Sequence, residues 1–138
     1  SLEKSLFEKS LQKSVIVCGL SYKPNVEDMR DSASFKIISD LKKKNFHVLG
    51  YDPYFSDEST EKYLIENNLS ELNFQKIENL NDEKLKGISC LCVVQHHDSV
   101  KERISEIYKQ GKIPLIYDCQ HKILKESNAK SILEFLGE

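Results

Sequence analysis

The sequence has 138 residues, of which 39% are hydrophobic and 30% charged. This composition and length are typical of one globular domain with a substantial core, which argues against a disordered chain. The net charge of −2 argues against nucleic acid or an anionic membrane surface as a partner, and the apolar runs are too short to span a bilayer.

The first predicted element is a short amphipathic helix within residues 2–12, where three leucines recur at near-helical spacing among charged residues. The sequence begins with Ser and carries no signal peptide, so we expect a cytoplasmic protein and an excised piece of a longer chain. We interpret residues 1–13 as the end of a connecting helix or linker, and residues 14–138 as the domain itself.

The domain is predicted to open with a strand, because Val15–Leu20 is a continuous apolar run that contains Gly19. A polar loop follows over Ser21–Asp31, where Pro24 excludes a continuous helix. Helix is predicted from about Ser32 to Lys44, with Asp31 or Ser32 as its N-cap. Further along the chain, the pattern predicts strands at Phe46–Asp52, Ile88–Val94 and Pro114–Cys119, helices at Asp57–Asn67, Asn79–Lys86 and Ser99–Gln110, and a short strand or helix around Ser131–Leu136.

Apolar strands that alternate with amphipathic helices predict an α/β fold, a three-layer Rossmann-like domain with a mostly parallel open sheet. Ligands of such sheets bind outside the carboxyl ends of the strands, where the connections diverge. The loops expected to form a site are therefore Ser21–Asp31, Pro53–Asp57, Gln95–Asp98 and Cys119–Lys122.

The loop after the first strand carries charge where many nucleotide-binding proteins carry glycines. Gly19 stands alone, so the GxGxxG pattern of a dinucleotide site is absent. Lys23 offers a mobile ammonium and Arg30 a planar fork, and both suit phosphate or carboxylate groups. Asp28 lies between them and could hold either cation by an ion pair.

The segment GLSYKPNVEDMRDSAS resembles the motif that opens the C-terminal domain of the UDP-glucose, UDP-N-acetylmannosamine and GDP-mannose dehydrogenases. That motif has a Gly, an aromatic residue with Lys, an Asp-x-Arg, and then Ser with a small residue. Downstream, GYDPY at residues 50–54, the His97-Asp98 pair and Asp118 also agree with the family. The matching positions of the motif are Gly19, Tyr22, Lys23, Asp28, Arg30, Ser32 and Ala33.

The resemblance implies a division of roles within this loop. Tyr22 and Lys23 would contact the nucleotide sugar, and Arg30 would reach toward NAD bound mainly by another domain of the enzyme. Asp28 would hold these cations, with structural support from Gly19 and Ser32. An ordinary solvated ion pair is the competing interpretation for these charges.

One position departs from the family pattern. The family places an Arg two residues beyond the Asp that closes the later strand, and this chain has Gln120 after Asp118. Glutamine forms hydrogen bonds but brings no charge. We expect Gln120 to contact the substrate. For the missing charge there are three alternatives: His121 or Lys122 replaces it, the ligand differs, or the affinity is lower.

By resemblance, the parent enzyme is an oxidoreductase of polysaccharide biosynthesis and a homo-oligomer. It oxidises the C6 alcohol of a UDP-sugar to a carboxylate with two NAD, through intermediates held on a cysteine. This chain carries neither the NAD fingerprint nor that cysteine, so we expect it to be inactive alone and assign it no catalytic residue. The alternatives are a stand-alone nucleotide-sugar-binding or regulatory module, and an unrelated flavodoxin-like signalling domain.

Other residues invite chemistry that the sequence does not support. His96 and His97 are adjacent at a strand end and should point in different directions, so no metal site is expected. Cys119 lacks an evident activating base, and the four cysteines are expected to be reduced thiols. Tyr51, Tyr54 and Phe55 could either stack on a uracil ring or close the strand end against a neighbouring helix.

Overall fold

The computed structural model describes residues 2–136 and contains a six-stranded sheet in the order β3-β2-β1-β4-β5-β6, with every neighbouring pair parallel. The helices lie on both faces of the sheet, which confirms the predicted three-layer α/β architecture. The strands are β1 Ser14–Cys18, β2 His47–Tyr51, β3 Gln75–Lys76, β4 Cys90–Val93, β5 Leu115–Asp118 and β6 Ile132–Phe135; the helices are α1 Leu2–Glu8, α2 Ala33–Lys43, α3 Asp57–Glu66, α4 Asp82–Leu85 and α5 Lys101–Gln110.

The apolar strands separate two hydrophobic clusters, one on each face of the sheet. Alternate residues of β1 belong to different clusters, with Val15 and Val17 on one side and Ile16 and Cys18 on the other. The first cluster packs beneath α1, α2 and α3, and the second beneath α4 and α5. Burial of both faces explains why the central strands are continuous apolar runs.

The structure corrects several predicted bounds. The first strand ends at Cys18 and not at Leu20, because Gly19 turns the chain with φ of 97°. The first helix stops at Glu8, and its Leu6 is only 1% exposed within the first cluster, so this segment packs on the domain. The two-residue strand β3 was not predicted, because a pair of polar residues shows no periodicity.

The topology creates a crevice between β1 and β4. From β1 the chain moves outward through β2 and β3, and it then returns to β4 and continues outward on the opposite side. The connections after β1 and β4 therefore diverge, which is the usual ligand position in an open parallel sheet. No helix within residues 2–136 is long and apolar enough to cross a membrane.

Candidate functional site

The loop after β1 begins at a tightly packed glycine. Gly19 has φ of 97°, and a Cβ at this position would lie 2.6 Å from the Cβ and backbone N of Gln95. The Gly19 N–H donates to the carbonyl of Tyr51 at 2.8 Å, and its own carbonyl accepts from the Ser34 hydroxyl. Gly19 thus brings the ends of β1, β2 and β4 together with the start of α2.

A buried Asp52–His97 pair holds the next part of the loop. The Asp52 carboxylate accepts from Leu20 N–H at 2.7 Å, Tyr54 N–H at 2.9 Å and His97 Nε2 at 2.9 Å. His97 Nδ1 accepts from the backbone N–H of Asn25 at 2.8 Å, so this nitrogen carries no proton. His97 is therefore the neutral tautomer that donates from Nε2, with both ring nitrogens occupied.

Further hydrogen bonds anchor the loop to the end of β4. Asn25, in the left-handed region with φ of 63°, accepts from Asp98 N–H through its side chain at 2.8 Å. The Gln95 side-chain amide donates to the Tyr22 carbonyl at 3.2 Å. The loop is therefore held to β4 at several points, although it contains no regular element.

This loop presents two exposed cations in different ways. The Lys23 ammonium lies 5.3 Å from the centre of the Tyr22 ring, and no carboxylate of residues 2–136 pairs with it. Arg30 donates to both carboxylate oxygens of Asp28, from Nε at 3.1 and 3.2 Å and from a terminal nitrogen at 2.7 Å. These bonds, together with the Arg30 backbone N–H, lower the pKa of Asp28 to about 2. The Arg30 side chain remains 82% exposed, and its charge is partly balanced by Asp28.

Ser32, one of the two N-cap residues that the sequence offered, is the N-cap of α2. It has extended backbone, and its hydroxyl accepts from Ser34 N–H at 3.1 Å. The preceding residue, Asp31, has φ of 57° and turns the loop toward the helix. Met29 is 4% exposed and anchors the end of the loop in the core.

A second buried pair, Asp118–His96, lies on the other side of β4. Asp118 is fully buried and accepts from His96 Nε2 at 2.8 Å and from the N–H groups of Gln120, Lys122 and Ile123 at 2.8 to 2.9 Å. Burial alone would raise the pKa of Asp118, but the bonds from His96 and from the Ile123 and Gln120 backbone outweigh it and lower the pKa to about 2. Asp118 thereby orders the loop after β5.

Gln120 belongs to this ordered loop. Its side-chain NH2 group donates to the Val94 carbonyl at 2.9 Å, which orients the amide and leaves its oxygen facing away from that contact. The residue itself is exposed. Gln120 therefore offers a fixed neutral acceptor at the position where the resemblance predicted a charged side chain.

The two histidines diverge, as the sequence predicted. Each bonds to a different aspartate, one following β2 and the other ending β5, on opposite sides of β4. Within residues 2–136 no group of three or more His, Cys, Asp or Glu side chains is arranged to hold a metal ion. The aspartate partners were not foreseen, since they depend on the spatial order of the strands.

The aromatic residues after β2 pack against the protein. The Tyr54 ring meets the His97 ring edge-on at 4.7 Å, and Phe55 is 8% exposed in the first cluster. These contacts agree with the interpretation that they close the strand end. Tyr22, which is 43% exposed, is the aromatic residue that the loop presents.

All four cysteines are free thiols, and two of them are in contact. Cys92 and Cys119 have their sulfur atoms 3.8 Å apart, and this contact lowers the pKa of Cys119 and raises that of Cys92. Burial raises the pKa of Cys18 to about 12 and also raises that of Cys90. Cys119 is partly exposed, and within residues 2–136 the hydrogen-bond partner of its sulfur is the Cys92 thiol, which is not a base.

Comparison with known proteins identifies a matching family. Residues 16–126 match the model described as the UDP-glucose/GDP-mannose dehydrogenase family, UDP binding domain. Two UDP-N-acetyl-D-mannosamine dehydrogenases are similar in sequence: that of Methanococcus vannielii is 32% identical over 131 residues, and that of Methanocaldococcus jannaschii is 28% identical over 127 residues. Each alignment covers 89% of this chain and 26% of the relative, so the chain spans about a quarter of these proteins' length.

Solved structures agree on the fold. A GDP-mannose dehydrogenase from Pseudomonas aeruginosa superposes with a TM-score of 0.67 and 16% identity, over 93% of this chain and 29% of that one. A UDP-D-ManNAc dehydrogenase from Pyrococcus horikoshii gives a TM-score of 0.65 and 19% identity, over 99% of this chain and 29% of that one. At 16% and 19% identity, the structural superpositions support the architecture alone. Membership of the dehydrogenase family is supported by the match over residues 16–126.

Proposed function

The chain belongs to the UDP-glucose/GDP-mannose dehydrogenase family as its UDP binding domain, and we propose that it binds the nucleotide sugar in an NAD-dependent UDP-sugar 6-dehydrogenase. The parent enzyme would oxidise the C6 alcohol of the sugar to a uronic acid in the cytoplasm, for polysaccharide biosynthesis. We further propose that the parent enzyme is a homo-oligomer and that residues 1–13 connect this domain to the rest of it.

The observation that carries this proposal is the Tyr22–Lys23 pair on a fixed loop. The Lys23 ammonium is exposed and has no carboxylate partner among residues 2–136, although the chain as a whole is acidic. The bonds that His97 and Gln95 make to this loop hold its backbone in place before a ligand arrives. A preorganised cation of this kind suits a pyrophosphate or the oxygen atoms of the attached sugar.

Arg30 is proposed to face the cofactor. Asp28 holds one side of its guanidinium, and the remaining N–H groups of this exposed side chain could reach one phosphate of NAD. Arg30 can thus supply one contact to a phosphate of NAD. The loop after β1 lacks the glycines that cradle a whole dinucleotide. NAD would be held mainly by the rest of the enzyme, where it supplies the hydride acceptor.

Gln120 is proposed to recognise a neutral group of the substrate. One N–H of its amide donates to Val94 and thereby orients the group, and its oxygen accepts from an N–H or a hydroxyl of the substrate. An acetamido N–H is one such donor, and the relatives named above are UDP-N-acetyl-D-mannosamine dehydrogenases. A UDP-N-acetylhexosamine is therefore the substrate class that we propose first.

The isolated chain is proposed to bind this substrate without oxidising it. None of its cysteines is assigned the nucleophile's role, because three are buried and, among the described residues, the sulfur of Cys119 contacts the Cys92 thiol and not a base. The flavodoxin-like alternative is excluded by the family match. A stand-alone binding module is less favoured, since the relatives are about four times longer than this chain.

Calorimetric titration of the chain with UDP-N-acetylmannosamine, UDP-N-acetylglucosamine, UDP-glucose and GDP-mannose tests the proposal. We expect a UDP-sugar to bind, the N-acetylated sugars more tightly, and no NADH to form on addition of NAD. Lys23→Ala should weaken binding at least about tenfold, because a hydrogen bond to a charged group is lost. Lys62→Ala, on the exposed face of α3, is the control and should bind normally. Equal affinities of the two variants would remove Lys23 from the site.

A further inference from the structure

A groove of about 550 Å³ runs along α5 and is lined at one end by His96, which bonds to Asp118. Its volume is in the range of small-molecule sites. Tyr22, Lys23, Arg30 and Gln120, which are proposed above to contact the substrate or the cofactor, are not among its lining residues. The lining residues are His96, Lys101, Ile104, Ser105, Tyr108, Lys109, Lys122, Ile123, Leu124 and Glu126.

The groove contains a buried imidazole with an unused nitrogen. His96 is 4% exposed, and its Nε2 bonds to Asp118. Within residues 2–136 its Nδ1 has no hydrogen-bond partner. This nitrogen is not one of the unpaired side-chain atoms that are completely shielded from solvent, so a ligand in the groove can still reach it. The neighbouring His97 uses both of its nitrogens. Among the described residues, the Asp118–His96 pair therefore lacks one hydrogen-bond partner, on an imidazole that lines the groove.

The wall opposite α5 is already ordered. Asp118 fixes the backbone of Lys122 and Ile123, and the Tyr108 hydroxyl accepts from the Glu126 N–H at 2.9 Å. These bonds tie both ends of the segment 122–126 to the body of the domain. The groove is thus formed before any ligand enters it.

The charge of the groove is opposite to that of the chain. Its lining has three lysines and one glutamate, a difference of +2, on a chain of net charge −2. Lys101 pairs at 2.9 Å with Asp98, which is not a lining residue, and Lys109 pairs with Glu126 at 3.7 Å. No carboxylate of the described residues pairs with Lys122.

The polar and apolar parts of the groove lie in order along α5. This helix connects two parallel strands and so runs against them, which places Lys101 near His96 and the loop after β5, and Lys109 at the far end. Lys101 and Lys122 both act on Asp98 and lower its pKa, the Lys101 hydrogen bond most strongly, so these lysines share one end of the groove. Between the ends, Ile104, Ile123 and the 84% exposed Leu124 form an apolar surface.

We propose that this groove is a second ligand site, specific for an organic phosphate whose phosphate meets His96, Lys101 and Lys122 and whose apolar body lies along Ile104, Ile123 and Leu124. On binding, His96 Nδ1 takes up a proton from the phosphate monoanion and donates it in a hydrogen bond to a phosphate oxygen, and Asp118 balances the resulting imidazolium from the other nitrogen. The proposal does not rest on the UDP-sugar function, because the two sites have no ligand-contacting residue in common.

Phenyl phosphate is a suitable probe, with inorganic phosphate and phenol as its two halves. NMR titration of the chain should show millimolar or tighter binding of phenyl phosphate, weaker binding of phosphate, and none of phenol. The imidazole ¹⁵Nδ1 resonance of His96 should move on binding, while that of His97 stays in place. The comparison of the two histidines separates a specific contact at His96 from a general effect of ionic strength.

Lysine variants locate the phosphate without disturbing the core. Lys101→Ala and Lys122→Ala should each weaken phenyl phosphate binding by about tenfold. Lys125→Ala, whose ammonium lies over the Phe135 ring, is the control. Lys23→Ala should leave this affinity unchanged even if it abolishes UDP-sugar binding, so the two proposals fail independently. Binding that is indifferent to Lys101 and Lys122, or no binding at 10 mM probe (about the upper end of weak small-molecule sites), would overturn the proposal.

Discussion

Replacement of Asp118 by Asn should reveal how strongly one buried carboxylate holds the loop after β5. Each carboxylate oxygen accepts two donors: Oδ1 from His96 and Gln120, and Oδ2 from Lys122 and Ile123. An amide NH2 cannot accept, so two donors lose their partner in either orientation of the Asn side chain. At about 1 to 3 kcal/mol for each of the two unsatisfied donors, Asp118→Asn should lower the free energy of unfolding by about 2 to 6 kcal/mol.

The pH dependence of this loss provides the decisive assay. The pKa of Asp118 falls from its ordinary 3.8 to about 2 on folding, so its ionisation stabilises the fold above pH 4 and this stabilisation disappears as the pH falls toward 2. The shift corresponds to about 2 kcal/mol. The difference in the free energy of unfolding between the native chain and Asp118→Asn, measured by urea denaturation, should therefore be smaller at pH 2 than at pH 6 by about this amount. The exposed Asp40→Asn serves as the control, with a change within about 0.5 kcal/mol at both pH values. A difference between native chain and Asp118→Asn that is independent of pH would refute the reasoning.

Three further changes test other parts of the site. Gly19→Ala should destabilise the fold by about 3 kcal/mol or more, because its Cβ would overlap Gln95 at a φ of 97°; a normal melting temperature would contradict this. Acidification through about pH 2 should protonate Asp28 and release Arg30, which would shift the Arg30 Nε–H resonance. Asp28→Asn should show the same shift already at neutral pH. Cys119 should react first with a thiol reagent at pH 8, because the Cys92 thiol lowers its pKa, whereas the same contact raises the pKa of Cys92 and burial raises those of Cys18 and Cys90; Cys119→Ser should remove the fast phase, and a persistent fast phase would count against the assignment.

Much of the architecture could be predicted from periodicity. The central strands are buried on both faces and therefore appear as apolar runs, and the amphipathic stripes of α2 and α5 are typical of helices that cover a sheet. The Ser32 cap and the Asp28–Arg30 pair were also predictable, because both are local interactions across two residues. Local chemistry of this kind needs no knowledge of the fold.

The framework of the site could not be predicted in the same way. Asp52 and His97 are separated by 45 residues and meet only because β2 and β4 flank β1. The same holds for His96 and Asp118, which depend on the adjacency of β4 and β5. The tandem histidines carried a weak signal, since neighbours at a strand end point apart, but the sequence does not name their partners. Gln120 was recognised as a departure, and only the structure shows that Val94 orients its amide.

The central claim is that the Tyr22–Lys23 loop receives a UDP-sugar, and chemical-shift mapping of the ¹⁵N-labelled chain with UDP-N-acetylmannosamine tests it most directly. We predict that the largest saturable changes fall on the backbone of residues 21–31 and on the Gln120 side-chain amide. Changes should be small at the far end of α5, around Lys109. Saturable changes confined to other surfaces, or none at saturating ligand, would contradict the account.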